Sequence, residues 1–210
     1  MWNQLEMLWG SVAPEQIPLW LKVGYTAFVC VLVPIYWRHY GPGNFLWFSD
    51  ACLLIAVFAI WLESSLLTSI IALAILLLDL AWNLDFFAKL ITNTSITGLS
   101  AYMFTRETSL LIRALSIFHV FFPVLIIWML SRLGYDPRAL VIQTLLAWIL
   151  LPLSYFFTRR SENVNWVHGF GNRPQRWLAP PLHVLLLMVL FPLVIYLPTH
   201  FVLQKLFSVL

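Results

Sequence analysis

At 210 residues, of which 61% are hydrophobic and only 10% charged, the chain lies far outside the soluble range, where about a quarter of residues carry charge. Its mean hydropathy of +0.87 points the same way. The formal charge of +3 does not mark a nucleic-acid partner, because the 12 basic residues are scattered and no run exceeds Arg159-Arg160. What remains is an integral membrane protein.

The amino-terminal MWNQLEMLWG lacks the basic stretch of a cleaved signal, and Trp2, Leu5, Leu8 and Trp9 predict an interfacial anchor. Six segments then approach the roughly 20 apolar residues that a membrane crossing needs. They fall at about 19–37, 44–61, 66–87, 110–130, 137–157 and 181–201. They predict a single all-α domain over 1–210, a polytopic transmembrane helical bundle with six spans. Trp20, Trp37, Trp61, Trp166 and Trp177 lie near predicted span ends, as an aromatic belt requires. No internal repeat aligns the first three spans with the last three.

Six crossings put the 1–2, 3–4 and 5–6 loops on one side, with Arg38, Lys89, Arg106, Arg159, Arg160, Arg173 and Arg176. The other side carries Lys22, Arg132, Arg138 and Lys205. The positive-inside rule makes the richer side cytoplasmic in a multi-pass membrane protein. Asn93-Thr94-Ser95 is a formal glycosylation sequon on that side, and we read it as chance. Cys30 and Cys52 lie in apolar stretches with no His or carboxylate at ligand spacing, so no metal and no cofactor is expected.

The third span is unusual because it contains Asp79, Asn83 and Asp85. An ionised carboxylate facing hydrocarbon costs several kcal/mol, so Asp79 must turn inward, find a partner or stay protonated. Asp79 and Asn83 are four residues apart and share a helix face, whereas Asp85 points elsewhere and reads as an interface charge, like Glu63 and Arg132. On the fourth span Arg113, Ser116 and His119 form a polar stripe, and Pro123 predicts a kink just beyond it. Asp50, His39, His183 and Tyr155 fall in the same half of their spans, and a shared polar pocket is the expectation. Gln143 is the main exception, and His200 lies at the opposite end. Plainer readings remain open: an Asp79–Arg113 ion pair tying two helices, a hydrogen-bonded His119, or an Asp50 that steadies the turn Gly41-Pro42-Gly43. The 3–4 loop TNTSITGLSAYMF either dips under the cluster or stays at the surface. Asn163, Asn165 and His168 in the 5–6 loop are placed to cover the pocket mouth.

YGPGNFLWFSD (40–50), SIFHVFFP (116–123) and NVNW (163–166) together resemble a family of uncharacterised bacterial six-span integral membrane proteins. More distantly the pattern is similar to the YwaF-type proteins and to the androgen-induced membrane hydrolases of fatty-acid esters. The latter resemblance implies an essential pair, a Thr on an early span and a His followed by a Pro on a later one. His119 with Pro123 matches the second, while Trp47 stands at the Thr position with Ser49 and Asp50 beside it.

Three functions compete. The first is a lipid-modifying hydrolase or acyltransferase. In it His119 is the general base, Asp50, Ser49 or Asp79 supplies the nucleophile or orients the imidazole, and Ser49, Asn83, Arg113, Asn165 and His168 bind a lipid-like substrate drawn from membrane lipid. The second is a proton-coupled carrier using Asp79 and Asp50 with Arg113 as counter-ion. The third is a non-catalytic scaffold whose polar groups hold helices together.

Overall fold

The computed structural model describes residues 16–171 and 175–207, so the amino-terminal anchor expected at Trp2 to Trp9 and the basic Arg173 lie outside the described residues. Those described contain helices and no strand. Helix α1 is Leu19–Tyr40, α2 Phe48–Trp61, α3 Ser65–Thr92, α4 Leu110–Leu133, α5 Ala139–Phe157 and α6 Pro180–Phe207. Five of them are long and apolar enough to cross a membrane, the exception being α2 at 14 residues.

The short α2 corrects the expected second span, and the cause is local. Gly41 sits at φ 83, the left-handed region that favours glycine, and ends α1. Pro42 then starts a single 3-10 turn, Pro42–Leu46. Trp47 is extended, and the α-helix begins only at Phe48. Asp50, expected well along its span, is therefore in the first turn of α2.

Helix α3 is the axis of the bundle and packs against α2, α4, α5 and α6. From Thr68 to Ile75 every residue is buried, as befits a helix that is apolar all round and surrounded by neighbours. Ala72 and Ala74 are buried in the same core as Ala56, Ala59 and Ala147, and residues this small let helix backbones approach closely. Ser64 caps the helix start by accepting from the Leu67 N–H, and Asn93, in the left-handed region, ends it.

Two helices are interrupted. In α4 the break falls at Ile117, between Leu110–Ser116 and Phe118–Leu133, rather than at Pro123. The amides of Ile117 and Val120 reach back three residues instead of four there. In α6 the stretch Phe191–Tyr196 widens to a π-type turn beside Pro192.

At the end of the bundle away from the 1–2 loop, Lys22 and Glu63 pair at 2.9 Å. Burial of Glu63 raises its pKa, but hydrogen bonds from the Gln16 amide, Lys22 and the Ile17 amide outweigh it and hold the carboxyl below its ordinary value. A depressed carboxyl contributes stability above its unfolded pKa and loses it as pH falls through the folded one. Thermal melts of Glu63→Gln should fall less steeply on acidification than those of wild type below about pH 4. Parallel curves would show that this carboxylate contributes nothing to acid sensitivity.

Candidate functional site

His119 stands four residues before Pro123, which has no N–H to give, so the carbonyl of His119 loses its helical donor. Asn83 replaces it. Its Nδ2 donates to the His119 carbonyl at 2.7 Å and to the Asp79 carbonyl, one turn back on α3, also at 2.7 Å. The same registration of α3 against α4 sets Asp79 Oδ1 2.9 Å from His119 Nδ1. Trp82 stacks on the imidazole, with ring centroids 4.7 Å apart and planes at 23°. His119 is thus held at its backbone, its Nδ1 and its face. Its Nε2 makes no hydrogen bond among the described residues.

Asp79 does not pair with Arg113, contrary to the ion-pair reading. The Arg113 guanidinium instead donates to the carbonyls of Thr108 and Thr105 and ties the 3–4 loop to the start of α4. Asn83 likewise spends its amide hydrogens on backbone carbonyls. Asn83→Leu should leave the His119 carbonyl unpaired at a cost of about 1–3 kcal/mol, read as a lowered melting temperature in detergent. An unchanged melt would mean that the bond carries no weight.

A cavity of about 1080 Å³ opens beside the Asp79–His119 pair. Tyr36, His39 and Tyr40 of α1, Ser49 and Asp50 of α2, Asp79 and Trp82 of α3 and Ser116 and His119 of α4 line it, as do residues of all three loops at that end. The expected convergence of polar groups in one half of the bundle is present. Asp50 faces His119 and Asp79 closely enough for their charges to interact, and Asn44 lies beside it. Tyr36 and Ser116 share a hydrogen bond of 2.7 Å between their hydroxyls. Among the described residues, no group of three His, Cys, Asp or Glu side chains is arranged to hold a metal ion.

The loops are built into the site. Asp85, expected at the interface, is fully buried and accepts six hydrogen bonds. Four reach Oδ1, from the Ser95 hydroxyl and the amides of Ile96, Thr97 and Gly98, and two reach Oδ2, from the Ser100 amide and hydroxyl. This anion nest folds the 3–4 loop inward, so that Thr97, Gly98 and Tyr102 line the cavity. Burial raises the pKa of Tyr102, so its hydroxyl stays neutral.

In the 5–6 loop, Asn165 accepts from the Phe48 amide at 3.1 Å and donates to the Leu46 carbonyl at 2.7 Å, bridging the gap from which α2 starts. It lines the cavity while serving as a brace. Asn163 closes its own loop by donating to the carbonyls of Gly169 and Gly171. His168 also lines the cavity; burial and then the Arg160 charge lower its pKa. His183 bonds the Trp166 carbonyl, Tyr155 packs on His168, and His200 pairs with Tyr135 at the far end.

Five helices long and apolar enough to cross a membrane, in a chain of this composition, fit the class of multi-pass α-helical integral membrane proteins. Comparison with protein families, curated proteins and solved structures finds no match.

Proposed function

We propose that this chain is a membrane-embedded ester hydrolase acting on the polar end of a lipid, with His119 as its general base. The observation that carries the reading is the 2.9 Å contact between Asp79 Oδ1 and His119 Nδ1 at the wall of the cavity. A carboxylate at Nδ1 keeps the proton there and leaves Nε2 as the basic nitrogen. No side chain among the described residues is hydrogen-bonded to Nε2, so the nucleophile is a water. Nε2 takes its proton as the oxygen adds to the ester carbonyl carbon, and returns a proton to the departing alcohol oxygen. Asn44 Nδ2, beside Asp50, and Trp82 Nε1, beside the Tyr102 hydroxyl, are buried donors at the cavity and are suited to the oxyanion.

The opposite half of the bundle argues for an enzyme over a carrier. There Leu73, Ile126, Met129, Leu130 and Ala147 are buried in one apolar core, although Thr68, Ser69, Gln143 and His200 are buried in that half as well. By the positive-inside rule the three cavity loops face the cytoplasm.

The test is release of fatty acid from ester lipids by protein purified in detergent. His119→Gln should lower the rate by about 10²–10⁴-fold while the melting temperature holds. Turnover indifferent to that change would remove His119 from the chemistry.

A further inference from the structure

The cavity is not shaped by chemistry that selects an acyl chain. Nine of its lining residues are Phe, Tyr or Trp, against four branched aliphatics, Ile75, Leu78, Leu99 and Val164. Asp50 and Asp79 are 5% and 3% exposed; among the described residues Asp79 Oδ2 accepts no hydrogen bond, and Asp50 has the Asn44 amide beside it while its Oδ1 accepts none of normal geometry. A buried carboxylate oxygen without a donor carries its full desolvation cost, so a fitting occupant brings N–H or O–H groups and positive charge.

A primary ammonium brings both. Its three N–H groups can meet the two carboxylates, and the cavity is also lined by Tyr36, Tyr40 and Trp47, aromatic rings of the kind that attract a cation once water is excluded. A quaternary ammonium has the charge but no N–H, and would leave the same oxygens unpaired. Toward the rim the charge reverses, for Arg159 and Arg160 line the cavity there. Glu162, which also lines the cavity, accepts from the Arg159 backbone amide.

We propose that the cavity receives the headgroup of an aminophospholipid, with its primary ammonium between Asp50 and Asp79 and its phosphate toward Arg159 and Arg160. This assignment rests on the hydrolase reading for the identity of the site, and names the substrate class.

Binding is measured separately from turnover, by calorimetry on full-length His119→Gln protein in detergent with short-chain phosphatidylethanolamine, phosphatidylcholine and phosphatidylglycerol, and with free phosphoethanolamine. Phosphatidylethanolamine should bind at least about tenfold more tightly than the other two lipids. Asp50→Asn should erase that preference. The rim double variant Arg159→Gln/Arg160→Gln, at exposed positions that spare the fold, should weaken phosphatidylethanolamine and leave ethanolamine, titrated as a phosphate-free control, unchanged. Phosphatidylcholine or phosphatidylglycerol binding as tightly as phosphatidylethanolamine overturns the proposal, as does indifference to the rim variant. Free phosphoethanolamine binding as tightly as the lipid overturns the lipid source. Selective binding with no ester cleavage by wild type sinks the hydrolase reading and leaves the headgroup site standing, and the converse result does the reverse.

Discussion

Asp85→Ala is expected to destabilise the protein by about 3–5 kcal/mol and to release the 3–4 loop. The carboxylate is the common acceptor for the amides of Ile96, Thr97, Gly98 and Ser100, and no helix or turn partner replaces it. Hydrogen exchange at those four amides should accelerate well beyond the change in global melting temperature, because the loss is local before it is global. Asp85→Asn is the sharper control. It keeps the volume but turns an N–H₂ toward donors on one side, so it should recover less than half of the stability. Unchanged protection of the loop in either variant would show that the nest does not hold it.

Asp79→Asn is expected to cost activity more than stability. An asparagine at this position can donate to His119 Nδ1, which moves the ring proton to Nε2 and removes the base from the cavity side. In hydrolases with an Asp-oriented histidine the equivalent change costs about 10⁴ in turnover with geometry intact. A similar loss is expected in ester release, with KM raised as well because Asp79 also faces the ammonium, and with the Asn83 bonds preserving the fold. A fall below tenfold would leave Asp79 as a helix-pairing residue only.

The membrane class, most helix positions and the pooling of polar groups in one half of the bundle were legible in the residues. Periodicity and depth follow from the rise of a helix, and they place Asp79, Asn83 and His119 together with no tertiary information. Partner choice was not legible. Arg113 is the obvious counter-ion for Asp79 by charge, yet it reaches loop carbonyls because the chain turns back beside it at Thr105 and Thr108. Asp85 looked like an interface charge because its donors lie 10 to 15 residues downstream in a segment with no regular period. A run of small and hydroxyl residues around Gly98 was the available signal. The His119–Pro123 spacing predicted a kink, whereas its effect is a freed carbonyl that Asn83 takes up.

The brevity of α2 has a bearing on the surrounding lipid. Fourteen helical residues reach about 21 Å, well short of the roughly 30 Å hydrocarbon slab, and the missing turns are at the cavity end. Along that flank the leaflet must dimple or its polar groups sink toward the midplane. On the lipid reading proposed above, a phospholipid at that flank would sit lowered toward the depth of Ser49 and Asp50.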